Sequence, residues 1–311
     1  MVKCIDQKIF KNAAVYCGDS IELIKKIPNN SVDYSIFSPP FPELYSYSNL
    51  INDMGNSKNY DEFFEHFDYL IKDLNRIIKP GRLVSMHCMD IPAMKSRDGY
   101  IGLKDFSGDL IRHFQDAGFI YHSRTTIWKD PLIEAVRTRA IGLAYKQLKK
   151  DSSICRTGIP DYIITMRKKG NNPEPIENKD GLGKFIGEED KEPTSKNLKY
   201  NHHVWQKYAS PVWMDIRQMR TLNYRAAKDE NDTKHVCPLQ LDAIERCLSL
   251  WTNENDIVFT PFMGVGSEVY SALEMNRRAI GIELKKSYFD QAIKNISRFT
   301  IEEGNNNFKL F

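Results

Sequence analysis

Apolar positions along the chain alternate between two patterns. Short apolar runs rich in β-branched and aromatic residues are followed by stretches in which apolar residues recur every three or four positions. That alternation predicts a doubly wound, mostly parallel α/β sheet covered by helices. Residues 13–17 read as a strand and 19–27 as a short helix, with Asp19 and Glu22 at capping-box spacing. Residues 32–37 read as the next strand. Between 61 and 78, Phe63, Phe64, Phe67, Leu70, Ile71, Leu74, Ile77 and Ile78 keep helical spacing, and Pro80-Gly81 is expected to end that helix. Strands follow at 82–88 and 119–128, with a helix at 106–117 between them and another strand at 161–167. The pattern then fades. Residues 170–232 are polar yet carry Phe185, Tyr200, Trp205, Tyr208, Trp213 and Tyr224, which suggests a long insertion or a small second module. Alternation resumes with helices at 238–251, 267–275 and 287–299 and strands at 256–262 and 278–284.

Composition changes this picture in one place. The chain has 311 residues, 41% hydrophobic and 27% charged, with a net charge of +3. Those values suit a globular protein and exclude a polycation. Residues 122–170, however, hold eleven Lys/Arg against four Asp/Glu, a local excess of +7. Such a stretch reads either as a phosphate-tracking surface or as a solvated face. The six cysteines form no CxxC pair and the seven histidines no HExxH, so no metal site is expected. No apolar stretch nears the ~20 residues that span a bilayer, and the first ten residues lack the apolar core of a signal peptide. A cytoplasmic protein without membrane partners is expected.

Two loops carry candidate chemistry. The first, Ser38-Pro39-Pro40-Phe41, ends the 32–37 strand. Proline fixes its own φ and restricts the residue before it, so Ser38 and Phe41 are held with little freedom. The loop can offer a hydroxyl and a backbone carbonyl to one side of a planar amine while an aromatic face covers the ring. The second runs Thr260-Pro261-Phe262-Met263-Gly264-Val265-Gly266-Ser267 between a strand and a helix. Glycines there allow close approach of a ligand, and Glu283, ending the next strand, is placed to bind ribose hydroxyls. The phosphate-loop pattern is absent, and Val269 replaces the third glycine of a dinucleotide fingerprint.

These motifs resemble those of the S-adenosylmethionine-dependent DNA amino-methyltransferases. Ser38 to Phe41 resembles the family's target-amine motif. Thr260, Phe262, Gly264, Gly266, Ser267 and Glu283 resemble its cofactor motif. Asp19 matches the acid that contacts the cofactor's adenine, and His235 to Pro238 the segment that closes over its methionine end. Trp128-Lys129-Asp130-Pro131 is similar to a late motif near the base pocket. The order, with the amine loop first and the glycine loop last, is that of the β group. It implies a circularly permuted Rossmann-like methyltransferase fold, with catalytic and cofactor halves at 1–169 and 233–311 around a variable target-recognition region at 170–232. Thr260 departs from the usual Asp, and Phe37 stands where the cytosine-N4 subgroup usually has Thr.

The resemblance implies S-adenosyl-L-methionine as cofactor and duplex DNA as partner, with a homodimer and a cognate restriction endonuclease as further expectations. Its mechanism is direct transfer to a flipped base, N4 of cytosine ahead of N6 of adenine because the adenine-N6 enzymes mostly carry Asp or Asn where this chain has Ser38. Arg137, Arg139, Lys149 and Lys150 are the candidate phosphate contacts. Trp205 and Trp213 either fill the gap left by the flipped base or form a small core. A non-catalytic DNA-binding protein on the same scaffold is the alternative from another class.

Overall fold

The computed structural model describes residues 4–42, 54, 57, 59–138, 145–153, 155–179, 181–188, 197–224, 227 and 238–299. In chain order the strands are β1 (Cys4–Ile9), β2 (Ala13–Gly18), β3 (Val32–Phe37), β4 (Ile78–Cys88), β5 (Ile91–Ala93), β6 (Gly102–Lys104), β7 (Phe119–Ile127), β8 (Asp161–Lys168), β9 (Val212–Trp213), β10 (Ile257–Thr260) and β11 (Arg278–Glu283). The helices are α1 (Ser20–Leu23), α2 (Tyr60–Ile77), α3 (Lys95–Asp98), α4 (Phe106–Asp116), α5 (Pro131–Thr138), α6 (Tyr145–Leu148), α7 (Asn197–Ala209), α8 (Leu241–Trp251), α9 (Ser267–Glu274) and α10 (Lys286–Ile296).

Among the described residues, nine strands form one sheet in the order β1-β2-β11-β10-β3-β4-β8-β7-β9, while β5 and β6 make a separate hairpin. β2, β11, β10, β3 and β4 are parallel to one another. β1 and β8 run against their neighbours, and β7 and β9 return to the common direction. The chain winds outward from the centre in both directions, so the switch point lies between β3 and β10. In such sheets, ligands bind at the carboxyl ends of the strands beside that crevice.

Both faces of the sheet are covered, as the near-continuous burial of β2 and β3 requires. On one face, Phe63, Phe67, Leu70 and Leu74 of α2 and Leu110 and Phe114 of α4 pack on Tyr16, Phe37, Val84 and Phe259. On the other, α8 to α10 pack on Val15, Tyr34, Ile36 and Val258. Adjacent residues such as Val258 and Phe259 serve opposite faces because side chains alternate along a strand. At the amino ends of β3 and β10, the buried Arg82 donates to Asp256 Oδ2 at 2.8 Å, and Lys79 Nζ lies 2.7 Å from Asp33 Oδ1.

Two details differ from the sequence-based expectations, and a third choice left open there, core or DNA gap for Trp213, is decided for the core. Helix α2 ends at Ile77 and β4 starts at Ile78, before Pro80-Gly81. Asp19 does cap α1, accepting from the Ile21 amide at 2.9 Å, but Glu22 pairs with Lys25 instead of completing a capping box. Trp213, in β9, is fully buried in the core under α8, which leaves it no part in filling a DNA gap, while Trp205 is exposed. Arg246 of α8 anchors this segment. Its guanidinium lies 4.9 to 5.4 Å from the ring centres of Phe185, Tyr208 and Trp213 and donates to the Ile186 carbonyl. A buried guanidinium held by aromatic faces, a carbonyl and Asp215 at 2.9 Å fastens a polar stretch that lacks apolar periodicity of its own.

Candidate active site

The two loops singled out by sequence leave adjacent strands at the switch point. Ser35 Oγ of β3 donates to the Phe259 carbonyl of β10 at 2.9 Å, locking the strands in register. Beyond their ends, Phe262 presents an edge-on contact to Phe37 at 5.7 Å and stacks with Phe67 at 6.3 Å. One half-buried ring therefore sets the spacing between the glycine turn and the Ser38 loop.

Ser38 is half-buried, Pro39 buried and Pro40 half-buried. Ser38 Oγ lies 3.1 Å from Nδ1 of His87, which stands at the end of the neighbouring β4. His87 Nε2 is 3.0 Å from Asp161 Oδ2, and Asp161 Oδ1 is 2.5 Å from Lys129 Nζ. Burial alone would raise the Asp161 carboxyl. The Lys129 charge and the adjoining His87 ring outweigh it and hold the group below the usual carboxylate range. Phe41 is half-buried and tilted against Phe106 at 5.9 Å.

The glycine turn follows β10. Gly264 (φ +54°) and Gly266 (φ +92°) adopt left-handed backbone. A Cβ on Gly266 would press on Ala292 at 3.1 Å, whereas one on Gly264 would enter open space, so that side of the turn is an open cradle. The Gly264 amide donates to Glu283 Oε2 at 2.7 Å and the Lys285 amide to Oε1 at 2.8 Å. Both carboxylate oxygens of Glu283 are thereby held at the mouth of the turn. Asp19 follows β2, the strand beside β11, and the Glu283–Cys17 pairing brings the two acids to one sheet edge. Among the described residues, Thr260 Oγ1 and Ser267 Oγ are buried with no hydrogen-bond partner. Two orphaned hydroxyls, two acids and an open glycine cradle fit a nucleoside-type cofactor. Pro238 is half-buried ahead of α8, and His235 lies outside the described residues.

The candidate DNA contacts are more dispersed. Lys149 and Lys150 are exposed beyond α6, with Lys149 Nζ 4.6 Å from the centre of the Tyr145 ring. Arg137 is on α5 with its side chain outside the described set, and Arg139 lies outside it altogether. Part of the basic stretch faces the protein itself. Arg124 lies over Tyr162, Lys129 meets Asp161, Arg156 is 3.6 Å from Glu134, Arg167 donates to Gly81, and Lys168 to Ile78.

Sequence reasoning missed His87 and Asp161. The one available signal was a histidine at the carboxyl end of a sheet strand, where side chains face the ligand crevice. Their meeting depends on β4 pairing antiparallel with β8, which sets His87 opposite Ile163, two residues from Asp161.

Comparison with known proteins identifies the family and the fold. A family model described as DNA methylase, of the N6/N4 methyltransferase type, matches residues 32–294. The Type II methyltransferase M.BglII of Bacillus subtilis is 25% identical over 294 residues, covering 94% of this chain and 71% of that protein. The solved PvuII DNA methyltransferase, cytosine-N4-specific, superposes with a TM-score of 0.63 at 18% identity, covering 99% and 93% of the two chains. A DNA modification methylase of Thermus thermophilus, TTHA0409, solved in complex with S-adenosyl-L-methionine, gives 0.62 at 20% identity over 94% and 96%. With the family model spanning both loops and the switch point between them, the chain belongs to the N6/N4 DNA methylase family.

Proposed function

We propose that this protein transfers a methyl group from S-adenosyl-L-methionine to an exocyclic amine of a flipped base in duplex DNA, with N4 of cytosine as the target. The observation that carries this reading is the Ser38 hydroxyl standing beside the open glycine cradle across one strand boundary. The cofactor supplies an electrophilic methyl on a sulfonium. Glu283 holds its ribose hydroxyls and Asp19 its adenine amine. Gly264 and Gly266 let the backbone approach, Phe262 borders the turn, and Thr260 and Ser267 offer their orphaned hydroxyls. Pro238, with His235, closes the methionine end.

On the base side, Phe41 stacks on the ring, and the Ser38 hydroxyl and Pro39 carbonyl accept from the amino protons. Accepting those bonds draws the nitrogen lone pair out of conjugation and aims it at the methyl carbon. The nitrogen would take the methyl as the sulfonium C–S bond breaks to leave a neutral thioether, and one N–H proton would pass to water. Positioning and electrostatics supply the acceleration. Ser38 supports cytosine by resemblance, since the adenine-N6 enzymes of this family mostly carry Asp or Asn at that position. Residues 1–169 then carry the base pocket, 233–311 the cofactor, and 170–232 the target reading. Exposed Lys149 and Lys150, with Arg137 and Arg139, contact phosphates. The M.BglII likeness supports a companion endonuclease.

Transfer of tritiated methyl from S-adenosylmethionine to DNA, followed by nucleoside analysis, tests the reading. N4-methylcytosine is expected. N6-methyladenine would overturn the cytosine assignment, and unlabelled DNA that the protein still binds would leave only the non-catalytic scaffold.

A further inference from the structure

We propose that His87, oriented by Asp161 and Lys129, is a positioning residue that fixes the Ser38 hydroxyl as a hydrogen-bond acceptor toward the target amine. The inference rests on the amine-methylation reading above. It starts from a choice that the geometry poses. A neutral imidazole has one donor nitrogen and one acceptor nitrogen. If Nδ1 carried the proton, it would donate to Ser38 Oγ, and Ser38 would turn its own proton toward the pocket. That proton would oppose the N–H groups of an exocyclic amine. If Nδ1 is the acceptor, Ser38 donates to it and keeps its lone pairs for the amine.

The surroundings select the second arrangement. Asp161 is 2% exposed and ionised, with Lys129 at 2.5 Å on one oxygen and His87 Nε2 at 3.0 Å from the other. The Nε2 contact has ion-pair distance without the alignment of a straight hydrogen bond. The carboxylate's charge, more than a directed bond, therefore holds the imidazole proton on Nε2. Nδ1 is left as the acceptor at 3.1 Å from Ser38 Oγ. Lys129 completes the chain by keeping Asp161 charged while buried. An isolated buried carboxylate would take up a proton and lose its hold on the tautomer. The four residues come from four strand ends, β3, β4, β7 and β8, so the hydroxyl's direction is set by the sheet itself.

The test has a readout that needs no substrate. In the 311-residue chain with ¹⁵N-labelled histidine, His87 is assigned by the signal lost in His87→Asn. An unprotonated Nδ1 and a protonated Nε2 are expected, and a protonated Nδ1 would overturn the proposal. In steady-state methylation, His87→Ala should lower kcat about 10- to 100-fold, the scale of a misdirected catalytic group. Its affinity for S-adenosylmethionine and its melting temperature should stay near those of the wild type. His87→Asn keeps an acceptor oxygen near the Nδ1 position and should recover most of that loss. Wild-type turnover in His87→Ala, or no recovery in His87→Asn, would each sink the idea. Should the wild-type protein label no DNA at all, the methylation reading fails, while the tautomer measurement still decides the hydrogen-bond assignment.

Discussion

The Gly264 amide donates to Glu283 Oε2 at 2.7 Å, tying the turn after β10 to the end of β11. That bond holds the cradle open in the conformation its positive φ angles require, and it fixes the acid proposed to grip a ribose. Glu283→Ala should raise the dissociation constant for S-adenosylmethionine at least about tenfold, since hydrogen bonds to a charged group are worth roughly 1.5–3 kcal/mol. Titration calorimetry measures this directly, and an unchanged constant would remove Glu283 from the cofactor site.

Gly264 and Gly266 should separate binding from stability. Alanine at Gly266 meets Ala292 at 3.1 Å in a left-handed conformation, so Gly266→Ala should destabilise by about 1–3 kcal/mol in urea denaturation. Alanine at Gly264 meets no atom of the described residues within 4 Å. Its stability cost should be the αL penalty alone, about 1–2 kcal/mol, while its methyl fills the cradle and weakens cofactor binding more than Gly266→Ala does. Equal effects of the two substitutions on binding would contradict this division.

Glu268, in the first turn of α9, is almost fully buried. Burial, with a smaller push from Glu283, raises its carboxyl from 4.5 to about 8. Because the folded value lies above the unfolded one, the folded chain holds a proton between those limits that the unfolded chain has released. The stabilisation is therefore complete below pH ~4.5 and is lost as pH rises through about 8, with a slope near 1.4 kcal/mol per pH unit at most. Glu268→Gln should flatten that part of the stability–pH curve and gain stability relative to wild type at pH 8. Parallel curves for the two proteins between pH 5 and 8 would show that Glu268 does not titrate there.

Lys149 and Lys150 are exposed, and neither has a carboxylate partner among the described residues. If they touch phosphates, Lys149→Ala and Lys150→Ala should each weaken binding to cognate and non-cognate duplexes alike. Each should also reduce the slope of log K against log salt by about one. A slope that does not change would place these lysines on a merely solvated face.

Much of the fold could be read in the sequence because local patterns carried it. The strand at Val32–Phe37 and the eight apolar positions around α2 follow directly from period and propensity. The short strands β1, β5, β6 and β9 were not legible. β5, β6 and β9 have two or three residues each, too few to show a period, and β1 carries Asp6, Gln7 and Lys8 in its middle and so shows no apolar run. Val212–Trp213 is the plainest case: two residues become a strand only because β7 lies beside them.

The sequence alone determined which chemistry the chain can attempt. Ser38-Pro39-Pro40-Phe41 is stiff by virtue of its prolines, and Gly264 and Gly266 permit a turn that other residues resist. Their order along the chain set the permuted arrangement. Only the tertiary structure decided which way the Ser38 hydroxyl points. His87, Lys129 and Asp161 are separated by 32 residues or more in the chain, and no spacing rule links them. They meet because β4, β8 and β7 pair edge to edge, and a buried carboxylate then selects a tautomer through its charge. Local sequence sets backbone freedom, but the electric field inside a site is the sum over groups that only folding brings together.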